Sequence, residues 1–170
     1  ALMLLEHQIH IQNLLTRLQW EASNNLNLEL LDQKTLSASE KLLEGMFMVG
    51  EAQIMGPLSG DPQFQKDFET KGPYDRKMRS LRHLNLQTRL FQYPLSYMIY
   101  STTFEALPKP LRHHLFSRIW EVLIGLDRSK SFEHLSSADR SAILEILRST
   151  KSDFRDWQRT RMKQSSPNDS

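Results

Sequence analysis

The chain has 170 residues, 39% of them hydrophobic and 25% charged, with a formal net charge of +2 and no cysteine. That is an ordinary globular composition for one domain able to bury a core. It excludes disulfides, thiolate metal sites, c-type haem attachment and cysteine nucleophiles.

The charge is unevenly placed. Residues 1–65 hold three bases against eight acids, a net −5, while residues 66–170 carry +7. Such asymmetry predicts either attraction between the halves or an anionic partner for the second half. No stretch is long and apolar enough for a membrane span: Leu2–Leu5 is short and gives way to Glu6 and His7. It also lacks the basic start and full apolar core of a signal peptide. A chain opening on alanine reads as a processed or trimmed product.

Taken in order, residues 2–22 predict a helix with Leu4, Ile11, Leu14, Leu15, Leu18 and Ala22 on one face. Leu2, Ile9 and Trp20 form a second apolar line nearly opposite. Asn24 and Asn25 end it, and a short helical piece over 26–32 follows. Ser37-Ala38-Ser39-Glu40 reads as a capping box opening a second helix, with Leu43, Met46, Phe47 and Ile54 inward. Gly45 and Gly50 weaken that helix or permit close packing, and Gly56-Pro57 stops it. Asp61-Pro62 starts another, with Phe64 and Phe68 inward, ending at Gly72-Pro73.

Residues 71–110 form the distinctive stretch. They hold all four tyrosines, four of the seven prolines, and Arg76, Arg79, Arg82 and Arg89. Over 79–91 two periods compete. A helix would align Arg79, Arg82, Leu86 and Arg89 on one face, whereas a strand would alternate Leu84, Leu86, Thr88 and Leu90. No partner strand is visible elsewhere, which favours irregular or helical structure. Pro94 then starts a short apolar helix over 95–101, and 104–108 adds one turn.

Pro110 initiates a helix over 111–124 with Leu111, Leu115, Ile119, Val122 and Leu123 buried, closed by Gly125. Ser136 or Ser137 caps a helix over 138–149 built on Ile143, Ile146 and Leu147. Its line continues through Phe154 and Trp157 if the helix does not break. The expected architecture is therefore all-α: an irregular bundle of about five to seven helices around a long loop-rich centre. A single domain spans 1–163, and 164–170 is a frayed tail.

Gly72-Pro73, Asp75, Arg79-Ser80-Leu81-Arg82, Leu86, Thr88-Arg89-Leu90-Phe91, Tyr93-Pro94, Ser96-Tyr97 and Ala106-Leu107-Pro108 carry a resemblance. They resemble a segment of exported bacterial proteins of unknown function, roughly "GP.D..GRSLR..DL.TRLF.YP.SY.IYS..F.ALP". Trp120-Glu121-Val122-Leu123-Ile124-Gly125 is similar to a later part of the same pattern. The resemblance covers about half the chain, implies an exported origin and brings no established activity. Where the pattern has a glycine, and so implies a tight turn, this chain has Met78.

Candidate chemistry is sparse. His7 and His10, three apart, could approach one metal, but His7 lies on the apolar face and reads as a hydrogen-bonded core histidine. No metal and no cofactor is expected. No GxSxG, GxGxxG, P-loop or HExxH occurs, and a Ser–His–acid site would have to be assembled in three dimensions. Over 66–92 seven bases face three acids, too modest a footprint for nucleic acid.

The arginine–tyrosine stretch remains. Guanidinium forks bind carboxylates or phosphates and stack on rings, so Arg76, Arg79, Arg82, Arg89, Tyr93, Tyr97 and Tyr100 are the candidate binding residues. The competing reading makes the same arginines internal ties to acids of the N-terminal half. The leading expectation is a non-catalytic accessory protein recognising a protein partner. The runner-up is a small-molecule or anion site between the centre and the bundle, and an enzyme comes third. A cleft with convergent Arg and Tyr favours the second, and an exposed patch along Leu2, Ile9 and Trp20 the first.

Overall fold

The structure, a computed structural model, describes residues 1–24, 30–51, 54 and 61–165. Among these residues the fold is all-α, as expected, with seven α-helices and no strand. No described helix is long and apolar enough to cross a membrane.

Helix α1 (Leu2–Ser23) buries Leu4, His7, Ile11, Leu15, Leu18 and Ala22, one face at helical spacing. It lies along α2 (Gln33–Met46), and Gly45 permits the close approach. A Cβ at Gly45 would stand 2.7 Å from Leu14 Cδ1 and 3.2 Å from Ile11 Cδ1. The chain leaves α1 at Asn24, whose side chain donates to Trp20 O at 2.8 Å.

The predicted start of α2 is corrected. Asp32 caps it, accepting from Thr35 N at 2.8 Å, so Ser37–Glu40 lie within the helix and form no box at its start. Ser39 is buried there and donates to Leu36 O. Of the short helix expected over 26–32, residues 26–29 lie outside the described residues and 30–32 are not helical. Helix α2 ends at Met46, so Phe47 is buried as its C-cap and Ile54 lies beyond it. Gly56 and Pro57 lie outside the described residues.

Helix α3 (Pro62–Glu69) starts as read, with Asp61 capping Gln63 N and Pro62 at its first position. Phe68 is buried, but Phe64 is 39% exposed. It stands at the lip of a cleft, because two turns are too short to sink both rings. The helix stops at Glu69, before Gly72-Pro73.

After the irregular stretch come a 3-10 turn (Tyr97–Tyr100) and a single helical turn, α4 (Thr102–Glu105). Helix α5 (Lys109–Leu123) buries all five residues read for it, and Gly125 follows at φ +75°. Helix α6 (Ser137–Thr150) has Ser136 and Asp139 as a true capping box.

The chain breaks at Lys151, which is extended and only 3% exposed, its ammonium held by Glu105 and by Asp153 at 3.1 Å. Helix α7 (Ser152–Ser165) then folds back. Phe154 is fully buried, its ring perpendicular to Phe116 at 5.4 Å, with Trp157 beside both. Removing that ring leaves a cavity at the junction of α5, α6 and α7. Phe154→Ala should cost about 3–5 kcal/mol, read as a fall in the urea midpoint.

Candidate functional site

Residues 70–96 run through the core with neither helix nor strand, so their geometry is set by side chains. Asp75 N donates to Arg79 O at 2.9 Å, and Met78 N to Asp75 O at 3.0 Å. The Asp75 carboxylate accepts from Lys77 N, Arg79 N and Arg79 Nε, at 2.8–2.9 Å. The tight turn implied by the glycine of the pattern is present with methionine in its place, Met78 sitting at φ +58°. Arg79 also reaches Glu145 at 2.5 Å, where Lys77 joins it at 2.8 Å.

Residues 83–92 form a narrow loop. Gln92 N donates to His83 O, Asn85 N to Leu90 O and Leu86 N to Arg89 O, with one bridge between Leu84 and Phe91. Asn85 Oδ1 accepts from Gln87 N and Thr88 N across the tip. Arg89 extends both Nη atoms to Asp139, at 3.1 and 2.7 Å, and donates to Gln92 O at 2.7 Å. Burial raises the Asp139 pKa, but hydrogen bonds from Arg89 and Ser136 outweigh it and hold the carboxyl below its ordinary value.

The helical face of Arg79, Arg82 and Arg89 is thus overturned, and two of the three guanidiniums are internal ties. The ties do not reach the N-terminal half, because their acids are Asp75, Asp139 and Glu145. Tyr100 is also committed, its hydroxyl 2.6 Å from Thr150 and its pKa pushed by burial up to about 12. Tyr93 is half-buried, its ring 6.4 Å from that of His83. Arg76 is exposed on the 75–79 turn.

Arg82 differs. Its guanidinium lies 4.3 Å from the Tyr97 ring centre and 4.9 Å from that of Phe68, while Nε donates to Gly72 O at 3.1 Å. Among the described residues it has no carboxylate partner. Burial therefore pushes its pKa down, with only Tyr97 opposing. The same desolvation raises Tyr97, whose hydroxyl donates to Gln8 Oε1 at 3.1 Å.

Arg82 opens onto a cleft of about 500 Å³ that no carboxylate lines. Leu4, Phe64, Phe68 and Met98 give it an apolar floor, and Lys71 adds a second, exposed cation. Of the residues predicted to bind, the cleft gathers Arg82, Tyr97 and Tyr100 and leaves out Arg76, Arg79, Arg89 and Tyr93. Gln8, Phe64 and Lys71 were missed. The signal for Phe64 was its place four residues before Phe68.

His7 is the hydrogen-bonded core histidine expected. Its Nε2 is 2.8 Å from Ser96 Oγ and its Nδ1 3.0 Å from Glu51 Oε1. That is the order of a nucleophile, base and acid. However, Ser96 is fully buried, its Oγ accepts from Met98 N, and none of the described clefts is lined by it. The trio joins α1 to the centre. No group of three or more His, Asp or Glu is placed to hold a metal ion among the described residues.

Among the described residues the fold is all-α, and this cleft sets a guanidinium without a carboxylate partner beside an apolar floor. No protein-family model, curated protein or solved structure matches the chain.

Asp75 is 6% exposed, and its partners hold its pKa below 3.8 although burial pulls the other way. A folded pKa below the unfolded one gives stability that is present above the unfolded value and lost as pH falls through the folded one. Stability should accordingly decline below about pH 4, and Arg79→Gln should cost about 1–3 kcal/mol at neutral pH while flattening that decline. Met78→Gly should instead stabilise by about 0.5–1 kcal/mol, since glycine accepts positive φ without a steric penalty. Urea titrations across pH check all three.

Proposed function

We propose that this protein is a non-catalytic binding domain whose Arg82 cleft takes a small organic acid, a carboxylate carried on an apolar body. The observation that carries this is Arg82 itself: a half-buried guanidinium lying against the Phe68 and Tyr97 rings, which meet edge to face beside it, with no acid partner among the described residues. Burying an unpaired charge is costly, and an incoming carboxylate removes that cost by accepting from the Nη atoms. Phe64, Phe68 and Leu4 give the rest of such a ligand apolar surface, and Lys71 adds long-range attraction.

A second reading, a protein partner, is favoured by the outer face of α1. There Leu2, Leu5, Ile9 and Trp20 are each more than half exposed. The tied arginines weigh against recognition through the whole 71–110 stretch.

Phenylacetate and 2-phenylethanol share a shape but differ in charge, and calorimetric titration separates them. Phenylacetate should bind saturably and the alcohol should not. Arg82→Gln should weaken phenylacetate binding at least about tenfold, the worth of a charge-assisted hydrogen bond. Equal binding of acid and alcohol would sink the reading. The buried trio predicts no Ser96-dependent ester hydrolysis and no labelling of Ser96 by a fluorophosphonate. A burst of p-nitrophenyl acetate cleavage lost in Ser96→Ala would show the protein to be an enzyme.

A further inference from the structure

A second cleft, about 570 Å³, opens between the 75–79 turn, the end of α6 and the first half of α7. It exists because the chain turns at Lys151, bringing Arg148 of α6 and Arg155 and Arg159 of α7 to face Arg76 on the turn. Eight of its nine lining residues are charged, six basic and two acidic. Both acids are already engaged, Asp75 by Arg79 at 2.6 Å and Glu145 by Lys77 at 2.8 Å and Arg79 at 2.5 Å.

Four arginines are left over. Arg148 donates to Gln158 Oε1 at 3.0 Å and lies over Trp120, neutral partners both. Arg155 Nε is buried without a hydrogen bond, its nearest acid being Asp156 at 3.9 Å. Arg76 and Arg159 are exposed, with no ion pair among the described residues. In a chain of net charge +2 this is a concentrated excess, and like charges so placed repel unless an anion lies between them.

The geometry points to a binding site for a compact, multiply charged oxyanion of the polyphosphate class. Guanidinium forks match phosphate oxygens in pairs. No aromatic or aliphatic side chain lines the cleft, so it offers no stacking platform for a base and no surface for an apolar tail. The cleft at Arg82 has the opposite character, which makes the two sites chemically separable.

The experiment titrates the full chain with inorganic tripolyphosphate, following arginine Nε–H resonances by NMR and heat by calorimetry. Binding should saturate at one ligand per chain and weaken as salt is raised, since screening shortens to about 8 Å at physiological ionic strength. Arg159→Gln, at an exposed position without an ion pair, should leave the melting temperature unchanged and weaken binding about tenfold. Arg155→Gln with Arg159→Gln should abolish it while leaving phenylacetate binding intact. The absence of saturable binding overturns the proposal, as does binding indifferent to these variants. Tighter, equally variant-sensitive binding to a short DNA duplex or to phosphatidylglycerol vesicles also overturns it, assigning the arginines to a macromolecular surface.

Discussion

A peptide group buried outside helix or sheet still needs a hydrogen-bond partner, and residues 70–96 impose that requirement on the whole molecule. Loops ordinarily escape it by running over the surface. Here Leu81, Phe91 and Leu95 are fully buried, so the segment is part of the core it crosses. Side chains supply what a ladder would. Asp75 and Asn85 each accept two backbone N–H groups, Glu69 takes Leu84 N, and Ser80 takes Arg82 N. Arginines answer the carbonyls, Arg82 at Gly72 and Arg89 at Gln92. The polar richness of the stretch is largely the composition of a loop that satisfies itself.

That constraint explains what the sequence could and could not disclose. Helices α1, α5 and α6 were legible because their apolar spacing and caps are local. The start of α2 was misread because two acceptable caps lie close together. Asp32 is the cap because its carboxylate accepts from Thr35 N at 2.8 Å, a bond that a start at Ser37 would forfeit. The arginine spacing misled for a related reason. Positions 79, 82 and 89 fit a helix, yet Arg79 is held by Asp75 within a turn and Arg89 by Asp139, 50 residues away. Nothing local marks such a partner. His7 was placed correctly from its face alone, while its partners stand 44 and 89 residues further on.

The same geometry sorts the cations by what is left for them to do. A guanidinium with both Nη atoms on a carboxylate and one also on a carbonyl, as in Arg89, has its charge already compensated, and its remaining Nε is buried. Arg82 uses Nε on Gly72 and packs against two rings, and neither contact neutralises its charge. Ring faces offset part of the desolvation, by about 0.5–2 kcal/mol. They do so without competing for the Nη hydrogens, which leaves the fork organised and under-satisfied.

Arg148 repeats this logic at the other cleft, stacked on Trp120 with Gln158 at its Nε. In both places a ring and a neutral acceptor fix the side chain while its charge stays uncompensated, and under the two proposals this would preorganise each for an anion. What differs is the floor. Around Arg82 the neighbours are aromatic and aliphatic, whereas around Arg148 they are further arginines. An apolar acid gains little from the second cleft, and a polyphosphate would have to shed its water against rings in the first. If both proposals hold, selectivity between the two clefts would follow from the residues surrounding each cation, not from the cation itself.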